Sequence, residues 1–421
     1  MSRFGYTLLY YLLLPLVFVR LLWRARKAPL YRKRWPERLG FFAAPKQANG
    51  LWLHSVSVGE TIAAAPLIKQ IQRRYPHLPI TITTMTPTGS ERVEALFGNS
   101  VFHVYVPYDT PGAVRRFLKK VQPRLALIME TELWPNLINH CAQQQIPVLV
   151  ANARLSARSA KGYGRFSKLT RQMLQQVSWL AAQTQADGER FIELGLEAQS
   201  LQVMGNVKFD VQIPSELLSE AQQLRCQWGE ERPVWIAAST HEGEDVIVLR
   251  AFKTVLERSP EALLVLAPRH PERFLAVGQL CRSEGFDVLV RSELQAASAA
   301  TQVLLADTMG ELMLFYAASD IAFVGGSLVP TGGHNLLEPA ALGVPVIAGP
   351  HLFNFTEISR LLLAAGGLTT VDGAQQLATQ VQRLFDDSAQ RVQMGEDARA
   401  VVAKHGGAQQ RLLTLLERYL N

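Results

Sequence analysis

The sequence predicts an α/β protein with two doubly wound parallel sheets, preceded by one apolar helix. With 421 residues and 48% hydrophobic content, the chain is long enough for two domains that each bury a core. Short apolar segments alternate with helical patterns, stop in a polar stretch over residues 212–232, and then alternate again. Because these segments are apolar along their whole length, they are typical of parallel strands covered on both faces.

An uncharged apolar run occupies residues 4–19 and is followed by a strongly basic segment. The run is somewhat short for a membrane span of about 20 residues, although flanking arginines can lengthen it by snorkelling. A cleaved signal peptide carries its charge in front of the apolar run, whereas here the charge follows. We therefore expect an uncleaved anchor or an embedded interfacial helix; a buried core helix and a cleaved signal are the alternatives.

The basic segment predicts contact with anionic membrane lipids on the cytoplasmic side. Its residues are Arg20, Arg24, Arg26, Lys27, Arg32, Lys33, Arg34 and Arg38. Much of the formal net charge of +7 lies in this segment, so we interpret the charge locally and expect no nucleic-acid partner.

The cysteines and acidic residues give no sign of a metal site. Cys141, Cys226 and Cys281 lie far apart without metal-ligand spacing, which favours a reducing compartment and no structural metal. The sequence contains no Asp-x-Asp, so a divalent-metal site for a diphosphate is poorly supported.

Seven apolar segments of the first half are predicted strands. They cover residues 51–54, 80–84, 101–106, 125–129, 147–151, 179–183 and 201–204. In open parallel sheets, ligands bind beyond the carboxyl ends of the strands, so the residues that follow these segments are the candidates for a site.

Glu60 closes the first candidate motif, HSVSVGE, which leaves the first strand and enters a helix. The positive end of a helix favours an ionised carboxylate, as a base that accepts a proton requires. The other interpretation is ordinary complementation of the helix dipole by an acidic residue in the first turn.

Glu130 and Glu132 follow the strand at 125–129 in the motif METELWP. They would face the same side if the strand continued, where they would orient a substrate, engage an arginine or bind a metal. The alternative is two solvated loop carboxylates. Further on, Asn152 to Ser156 follow another strand, and Lys208 follows the last strand of this half. Lys208 either neutralises a departing phosphate or a substrate carboxylate, or is a solvated lysine of a connecting segment.

The second half repeats the alternation after the break at 212–232. Its predicted strands cover residues 234–238, 262–267, 287–290, 303–306, 321–324 and 344–348. From about residue 375 the pattern is helical, and the last helix is expected to return to brace the first domain.

Three strand ends of the second half carry candidate ligand contacts, although each is open to a purely structural interpretation. Arg269, in PRHP, is suited to a bidentate grip on phosphate. The turn at 307–311 offers backbone groups for a base or a phosphate. The third is the glycine-rich turn after 321–324, whose amides would hold a phosphate, followed by a helix that begins at Asn335. Glu338 would accept from ribose hydroxyls or, alternatively, complete a capping box with Asn335.

The motifs HSVSVGE, METELWPN, NVKFD, APRHPER and GGSLVPTGGHNLLEPAALGVPVIAGP together resemble the Kdo transferase family of lipopolysaccharide assembly. The resemblance covers nearly the whole chain and implies GT-B architecture, with two Rossmann-like domains facing across a cleft. It implies a membrane anchor with a basic cluster at 1–38, an acceptor-binding domain at 39–211, a linker at 212–232, a CMP-sugar-binding domain at 233–405 and a C-terminal helix at 406–421.

The resemblance also implies an activity and a site. Kdo (3-deoxy-D-manno-oct-2-ulosonic acid) would pass from CMP-Kdo to a lipid A precursor, lipid IVA, on the cytoplasmic face of a Gram-negative inner membrane. Glu60 matches the family's proton acceptor, and Glu130 and Lys208 match the pair that stabilises the transition state. The matching CMP contacts are Pro268, Arg269, Met309, Gly310, Glu311, Asn335, Leu336, Leu337 and Glu338.

Direct displacement by the acceptor hydroxyl predicts an inverting reaction. Since Arg269 and backbone amides would stabilise the departing CMP, we expect no metal and no other cofactor. The competing interpretations are a transferase of similar fold that uses a UDP-sugar and a membrane-tethered nucleotide-binding protein without catalysis. The sequence leaves open whether one or two Kdo residues are added and whether the anchor spans the bilayer.

Overall fold

The computed structural model describes residues 1–26, 28–293 and 297–420, and it confirms the α/β class with two parallel sheets of seven strands. The chain divides into two compact units, Met1–Asp210 with Gly406–Asn421, and Val211–His405. Lys27, which belongs to the predicted lipid-binding segment, lies outside the described residues.

The first unit is built on a parallel sheet with the order β3-β2-β1-β4-β5-β6-β7. Its strands are β1 Leu51–His54, β2 Ile80–Thr84, β3 Phe102–Tyr105, β4 Leu125–Met129, β5 Val148–Ala153, β6 Trp179–Ala182 and β7 Leu201–Val203. Its helices are α1 Arg3–Arg24, α2 Trp35–Arg38, α3 Val58–Arg74, α4 Pro87–Phe97, α5 Pro111–Val121, α6 Pro135–Gln143, α7 Ala157–Gly164, α8 Ser167–Leu174, α9 Gln185–Glu193 and α18 Ala408–Leu420.

Both faces of this sheet are buried, which explains the unbroken apolar strands. In β1, Trp52 belongs to the core on one face, while Leu51 and Leu53 belong to the core on the other. The helix α18 contributes Leu412 and Leu416 to that second core, so the last segment of the chain completes the first unit.

The second unit repeats the plan with the order β10-β11-β9-β8-β12-β13-β14. Its strands are β8 Val234–Thr240, β9 Leu263–Pro268, β10 Val288–Val290, β11 Val303–Leu305, β12 Ile321–Val324, β13 Val346–Ala348 and β14 Leu368–Thr370. Its helices are α10 Leu217–Trp228, α11 Glu244–Leu256, α12 Phe274–Ser283, α13 Leu312–Ala317, α14 Leu337–Ala341, α15 Thr356–Ala365, α16 Ala374–Asp386 and α17 Ser388–His405.

Two predictions for this unit were wrong in detail. The strand β14 was not predicted, because only the first of its three residues is buried and it pairs at the sheet edge. The helix expected to begin at Asn335 begins at Leu337, since the Asn335 side chain accepts from the Leu337 N–H and holds the chain in a turn.

The predicted lipid-binding segment divides into a folded part and an exposed part. Arg38 is buried beneath Tyr105 and donates to the Met85 carbonyl, and Arg34 pairs with Glu37 at 2.7 Å. The expectation that Arg38 binds a headgroup was therefore wrong, whereas Arg34 is half-buried and already paired. Arg20, Arg24, Arg26, Arg32 and Lys33 remain exposed.

Candidate active site

Glu60 lies in the first turn of α3, directly beyond the carboxyl end of β1. Ser57 and Glu60 form a reciprocal capping box, in which the Ser57 hydroxyl accepts from the Glu60 N–H and the Glu60 carboxylate accepts from the Ser57 N–H. The carboxylate also accepts from the Ser57 hydroxyl at 2.7 Å and, through Oε2, from the Val56 N–H at 2.7 Å. Oε1 thus receives two bonds and Oε2 one, which leaves Oε2 able to accept another.

Glu60 is only 7% exposed, and this burial raises the pKa of its carboxyl. The bonds from Val56 and Ser57 lower that pKa in part, whereas the charges of Glu130 and Glu132 raise it further. The structure therefore brings the three predicted carboxylates within electrostatic range of one another. They gather at the carboxyl ends of the neighbouring strands β1 and β4.

Glu130 is the first residue after β4, and its φ of +55° lies in the left-handed region. The strand ends at Met129, so the condition under which Glu130 and Glu132 would face the same side is not met. A left-handed conformation costs a residue with a Cβ about 1–2 kcal/mol, and such strain concentrates at functional sites. Glu132 accepts from the Trp134 indole N–H at 3.1 Å, and burial raises the pKa of its carboxyl.

Lys208 lies in a short 3-10 turn, Val207–Phe209, with an exposed side chain. A buried side chain holds this turn in place: the Oδ1 atom of Asn152 accepts from the Val207 N–H at 3.2 Å. Asp210 accepts from the backbone N–H groups of Gly407 and Gln409 and so joins this turn to α18.

In the second unit, four predicted CMP-binding residues line one small pocket. Pro268 and Arg269 lie at the end of β9, and Met309 and Gly310 lie after β11. Ser239, whose φ is +56°, lines the same pocket at the end of β8. The structure thus brings three strand ends to one rim, as the parallel sheet requires.

Glu311 precedes α13, and its carboxylate is already engaged. It forms an ion pair with Arg291 at 2.7 Å and accepts from the Thr308 hydroxyl. The hydrogen bond from Arg291 is the main cause that lowers the pKa of Glu311. This carboxylate holds the turn at 308–311 in shape.

Asn335 and Glu338 pair with each other, but they form no capping box. The Asn335 amide donates to Glu338 Oε1 at 3.0 Å. Burial raises the pKa of Glu338, while the Asn335 amide and the nearby Arg269 charge oppose this shift. The side chains of Leu336 and Leu337 are fully buried, so these two residues offer only backbone groups to a ligand.

The glycine-rich turn is organised by Glu244, which the sequence analysis missed. This fully buried carboxylate accepts from the N–H groups of Gly326 at 2.6 Å, Ser327 at 2.9 Å and Leu328 at 2.8 Å. The expectation that the first amides of this turn hold a phosphate was therefore wrong, since they already bind an anionic side chain. The available signal was an acidic residue in the first turn of a helix that follows a buried strand.

A histidine pair beside this turn was also missed. The Nε2 atoms of His241 and His334 lie 2.8 Å apart, and the two rings stack with centroids 5.0 Å apart. Burial lowers the pKa of His334 to about 4, and the charge of Arg269 contributes to this shift. The signal was a histidine directly after a strand and another in the glycine-rich turn.

Comparisons with known proteins agree with the division of the chain into two units. Residues 33–211 match the family model of 3-deoxy-D-manno-octulosonic-acid transferase (kdotransferase), and residues 241–401 match that of glycosyl transferases group 1. The solved structure of UDP-GlcNAc 2-epimerase from Neisseria meningitidis bound to UDP-GlcNAc covers 88% of this chain and 100% of its own, with 18% identity and a TM-score of 0.56. This likeness supports the fold class alone.

Full-length relatives carry the family assignment. The chain is 48% identical over 425 residues to the 3-deoxy-D-manno-octulosonic acid transferase of Haemophilus influenzae, covering 100% of this chain and 99% of the relative. It is 38% identical over 433 residues to the transferase of the same name from Bordetella pertussis, covering 100% of both chains. The resemblance noted in the sequence is thus confirmed: the chain is a glycosyltransferase and belongs to the family of 3-deoxy-D-manno-octulosonic acid transferases.

Proposed function

We propose that the protein transfers Kdo from CMP-Kdo to a lipid A precursor, lipid IVA, in lipopolysaccharide biosynthesis. The observation that carries this proposal is the Glu60 carboxylate, which is buried, fixed by three hydrogen bonds and left with one acceptor position on Oε2. Such a group is suited to accept the proton of an attacking hydroxyl.

In the proposed reaction, the acceptor hydroxyl attacks the anomeric carbon of Kdo as Glu60 takes its proton. General-base assistance of this kind contributes roughly 100- to 10,000-fold to the rate. Glu130 and Lys208 stabilise the transition state, as their match to the family motifs implies. Because one displacement forms the new bond and breaks the bond to CMP, the reaction inverts the anomeric centre.

CMP is proposed to bind at the pocket lined by Pro268, Arg269, Met309 and Gly310. Support comes from the convergence of these residues and from the Arg269 guanidinium, which offers a forked donor to a phosphate. Glu311, Asn335, Leu336, Leu337 and Glu338 complete the proposed nucleotide contacts. Since a monophosphate is the leaving group, a guanidinium and backbone donors suffice and no metal is required.

The protein is proposed to act on the cytoplasmic face of the inner membrane. The helix α1 is long and apolar enough to cross a membrane, and exposed basic residues follow it. A lipid acceptor is consistent with that location, because the substrate is itself anchored in the membrane.

The test is incubation of the purified full-length protein with CMP-Kdo and a tetraacylated lipid A precursor, followed by mass spectrometry of the lipid. We expect the mass of the lipid to increase by one or two Kdo residues, with full activity in the presence of a chelator. Glu60→Gln is expected to lose transfer while still binding CMP. A strict need for a divalent metal, or transfer from a UDP-sugar instead, would contradict the proposal.

A further inference from the structure

We propose that α1 lies in the plane of the membrane surface against the first unit, with one face embedded in an anionic phospholipid leaflet, and does not cross the bilayer. This inference deepens the proposed function and rests on its membrane location. Four features of the first unit support it: the docking contacts of α1, its one-sided burial, the charge at its end and its position beside the carboxylates.

Docking contacts run along most of the helix. The Thr7 hydroxyl donates to the Asn136 side chain at 3.1 Å, and Tyr6 interacts with the Asp109 carboxylate. Further along, the ring centroid of Phe18 lies 5.3 Å from that of Trp35 and 5.8 Å from that of Tyr108. From residue 6 to residue 18 a helix rises about 18 Å, which is more than half of the roughly 30 Å hydrocarbon thickness of a bilayer.

Burial along α1 follows one face of the helix. The half-buried or buried positions recur every three or four residues, and they include Tyr6, Tyr10, Leu14, Phe18 and Leu21, with Ala25 directly after the helix. The opposite face exposes large apolar side chains, among them Phe4, Leu8, Leu12, Leu16, Val19 and Trp23. A helix with one docked face and one exposed apolar face is typical of an interfacial helix, which buries only the exposed face in lipid.

A docked helix cannot cross the bilayer without taking charged groups with it. Asp109 is 1% exposed and accepts from the N–H groups of Asn136 at 3.0 Å and Leu137 at 2.7 Å, at the start of α6. Its burial raises the pKa of this carboxyl to about 6, while the bonds from Asn136, Leu137 and Tyr6 oppose this shift. If α1 spanned while docked, this carboxylate and its helix end would enter hydrocarbon at a high cost. If α1 undocked, Asn136 and Asp109 would lose partners.

The end of α1 has the side chains of a membrane interface. A groove there is lined by Trp23, Arg24, Arg26, Ala28 and Tyr31, and the Arg24 guanidinium lies 5.2 Å from the Tyr31 ring centroid. Tryptophan, tyrosine and arginine together favour the headgroup region, and the exposed positive charge fits an anionic leaflet.

This placement brings the proposed acceptor site to the lipid surface. Tyr163 interacts electrostatically with both Tyr6 of α1 and Glu132 of the carboxylate cluster. Asp109 and Asn136, which hold α1, follow β3 and β4, at the same rim of the sheet as Glu130. A lipid acceptor therefore reaches the carboxylates from the leaflet in which α1 is embedded.

The test is the sidedness of the N-terminus, measured on full-length protein in inner membranes. Ser2→Cys is made with Cys226→Ser, which removes the exposed native thiol, since Cys141 and Cys281 are buried. Glu231→Cys in the same background is the control for the exposed surface of the second unit. We expect a membrane-impermeant maleimide to label both cysteines in inverted vesicles and neither in right-side-out vesicles. Labelling of Ser2→Cys only from the opposite side, or only after denaturation, would overturn the proposal.

A matched pair of α1 variants gives a second readout. Leu16 is 63% exposed, whereas Leu14 lies on the docked face. With vesicles of phosphatidylglycerol and phosphatidylethanolamine, Leu16→Gln is expected to weaken binding roughly tenfold, and Leu14→Gln to leave it within about twofold. Equal losses would mean that lipid surrounds the helix, which overturns the proposal. Because these vesicles contain neither donor nor acceptor, the result does not depend on whether transfer occurs.

Discussion

At the scale of single residues, Glu60 combines a structural and a proposed chemical task. Its carboxylate caps α3, and the bonds that do so favour the ionised form. Burial and the charges of Glu130 and Glu132 act in the other direction and raise the pKa of Glu60 above that of an ordinary glutamate. A raised pKa strengthens the carboxylate as a base, provided that the working pH stays above it.

The acidic side of the pH–rate profile is expected to report the ionisation of Glu60. Transfer falls as the pH drops through the pKa of Glu60, because the protonated carboxyl accepts no proton. Glu132→Gln removes a charge that raises this pKa, so the acidic limb is expected to move to lower pH. Ser57→Ala removes the hydroxyl hydrogen bond that lowers this pKa, so the limb is expected to move to higher pH. The measurement is kcat/KM against pH, and identical profiles for all three proteins would contradict this assignment.

The capping box shows what a local pattern can and cannot predict. Ser57-x-x-Glu60 and Asn335-x-x-Glu338 both fit the pattern, but only the first forms the reciprocal bonds. At the second, the side chains of Leu336 and Leu337 are drawn into the core, and the helix begins at Leu337. Tertiary packing sets the start of this helix, and the spacing of two polar residues carries no information about that packing.

The left-handed backbone of Glu130 predicts a separation of stability from activity. Glycine has no Cβ and adopts this conformation without the steric penalty. Alanine has a Cβ, so it carries the same penalty as glutamate. We therefore expect Glu130→Gly to have a free energy of unfolding about 1 kcal/mol larger than Glu130→Ala, while both lose transfer. Urea unfolding and the lipid mass assay give the two readouts. An alanine variant as stable as the glycine variant would mean that the strain is relieved elsewhere.

At the scale of elements, the glycine-rich turn is shaped by a helix it does not belong to. Glu244 begins α11 and binds three successive amides of the turn, together with the His241 N–H at 2.8 Å. Gly349 packs against the same turn and has to be glycine, because a Cβ there would lie 2.2 Å from the Ser327 carbonyl oxygen. The sequence predicted a glycine-rich turn at this place but not the carboxylate that holds it, since Glu244 and Ser327 are 83 residues apart.

Glu244→Gln is expected to disrupt the proposed nucleotide site by disordering the glycine-rich turn. A glutamine amide has one oxygen acceptor and a donor NH2, so it leaves buried N–H groups of the turn unsatisfied, at a cost of about 1–3 kcal/mol each. We expect weaker CMP binding by calorimetry and lower stability of the second unit. The exposed neighbour Glu242→Gln is the control and is expected to behave as the unmodified protein. Unchanged CMP affinity in Glu244→Gln would show that the turn has no part in nucleotide binding.

At the scale of the whole molecule, both sheets could be predicted because their strands are buried on two faces. Thirteen predicted strands match observed ones, and their ends differ by two residues or fewer; of the strands in the described part of the chain, only β14 was missed. The spatial order of the strands could not be predicted, because nothing local specifies that β1 pairs with β4 or that β8 pairs with β12. That pairing is what brings Glu60 near Glu130, so the rule for strand ends selected residues that the structure brings together, without giving their distances.

The helix α18 closes the first unit and predicts a unit-specific loss of stability. Leu416 is fully buried in the core that contains β1, so Leu416→Ala is expected to cost about 2–5 kcal/mol. Gln410→Ala, on the exposed side of the same helix, is the control. In denaturant, the first unit of Leu416→Ala is expected to unfold earlier, and transfer to be lost with it, while CMP binding by the second unit persists. Among the described residues, α18 packs its leucines only into the core of the first unit that contains Leu51 and Leu53. Simultaneous loss of transfer and CMP binding would therefore mean that the two units unfold as one cooperative body.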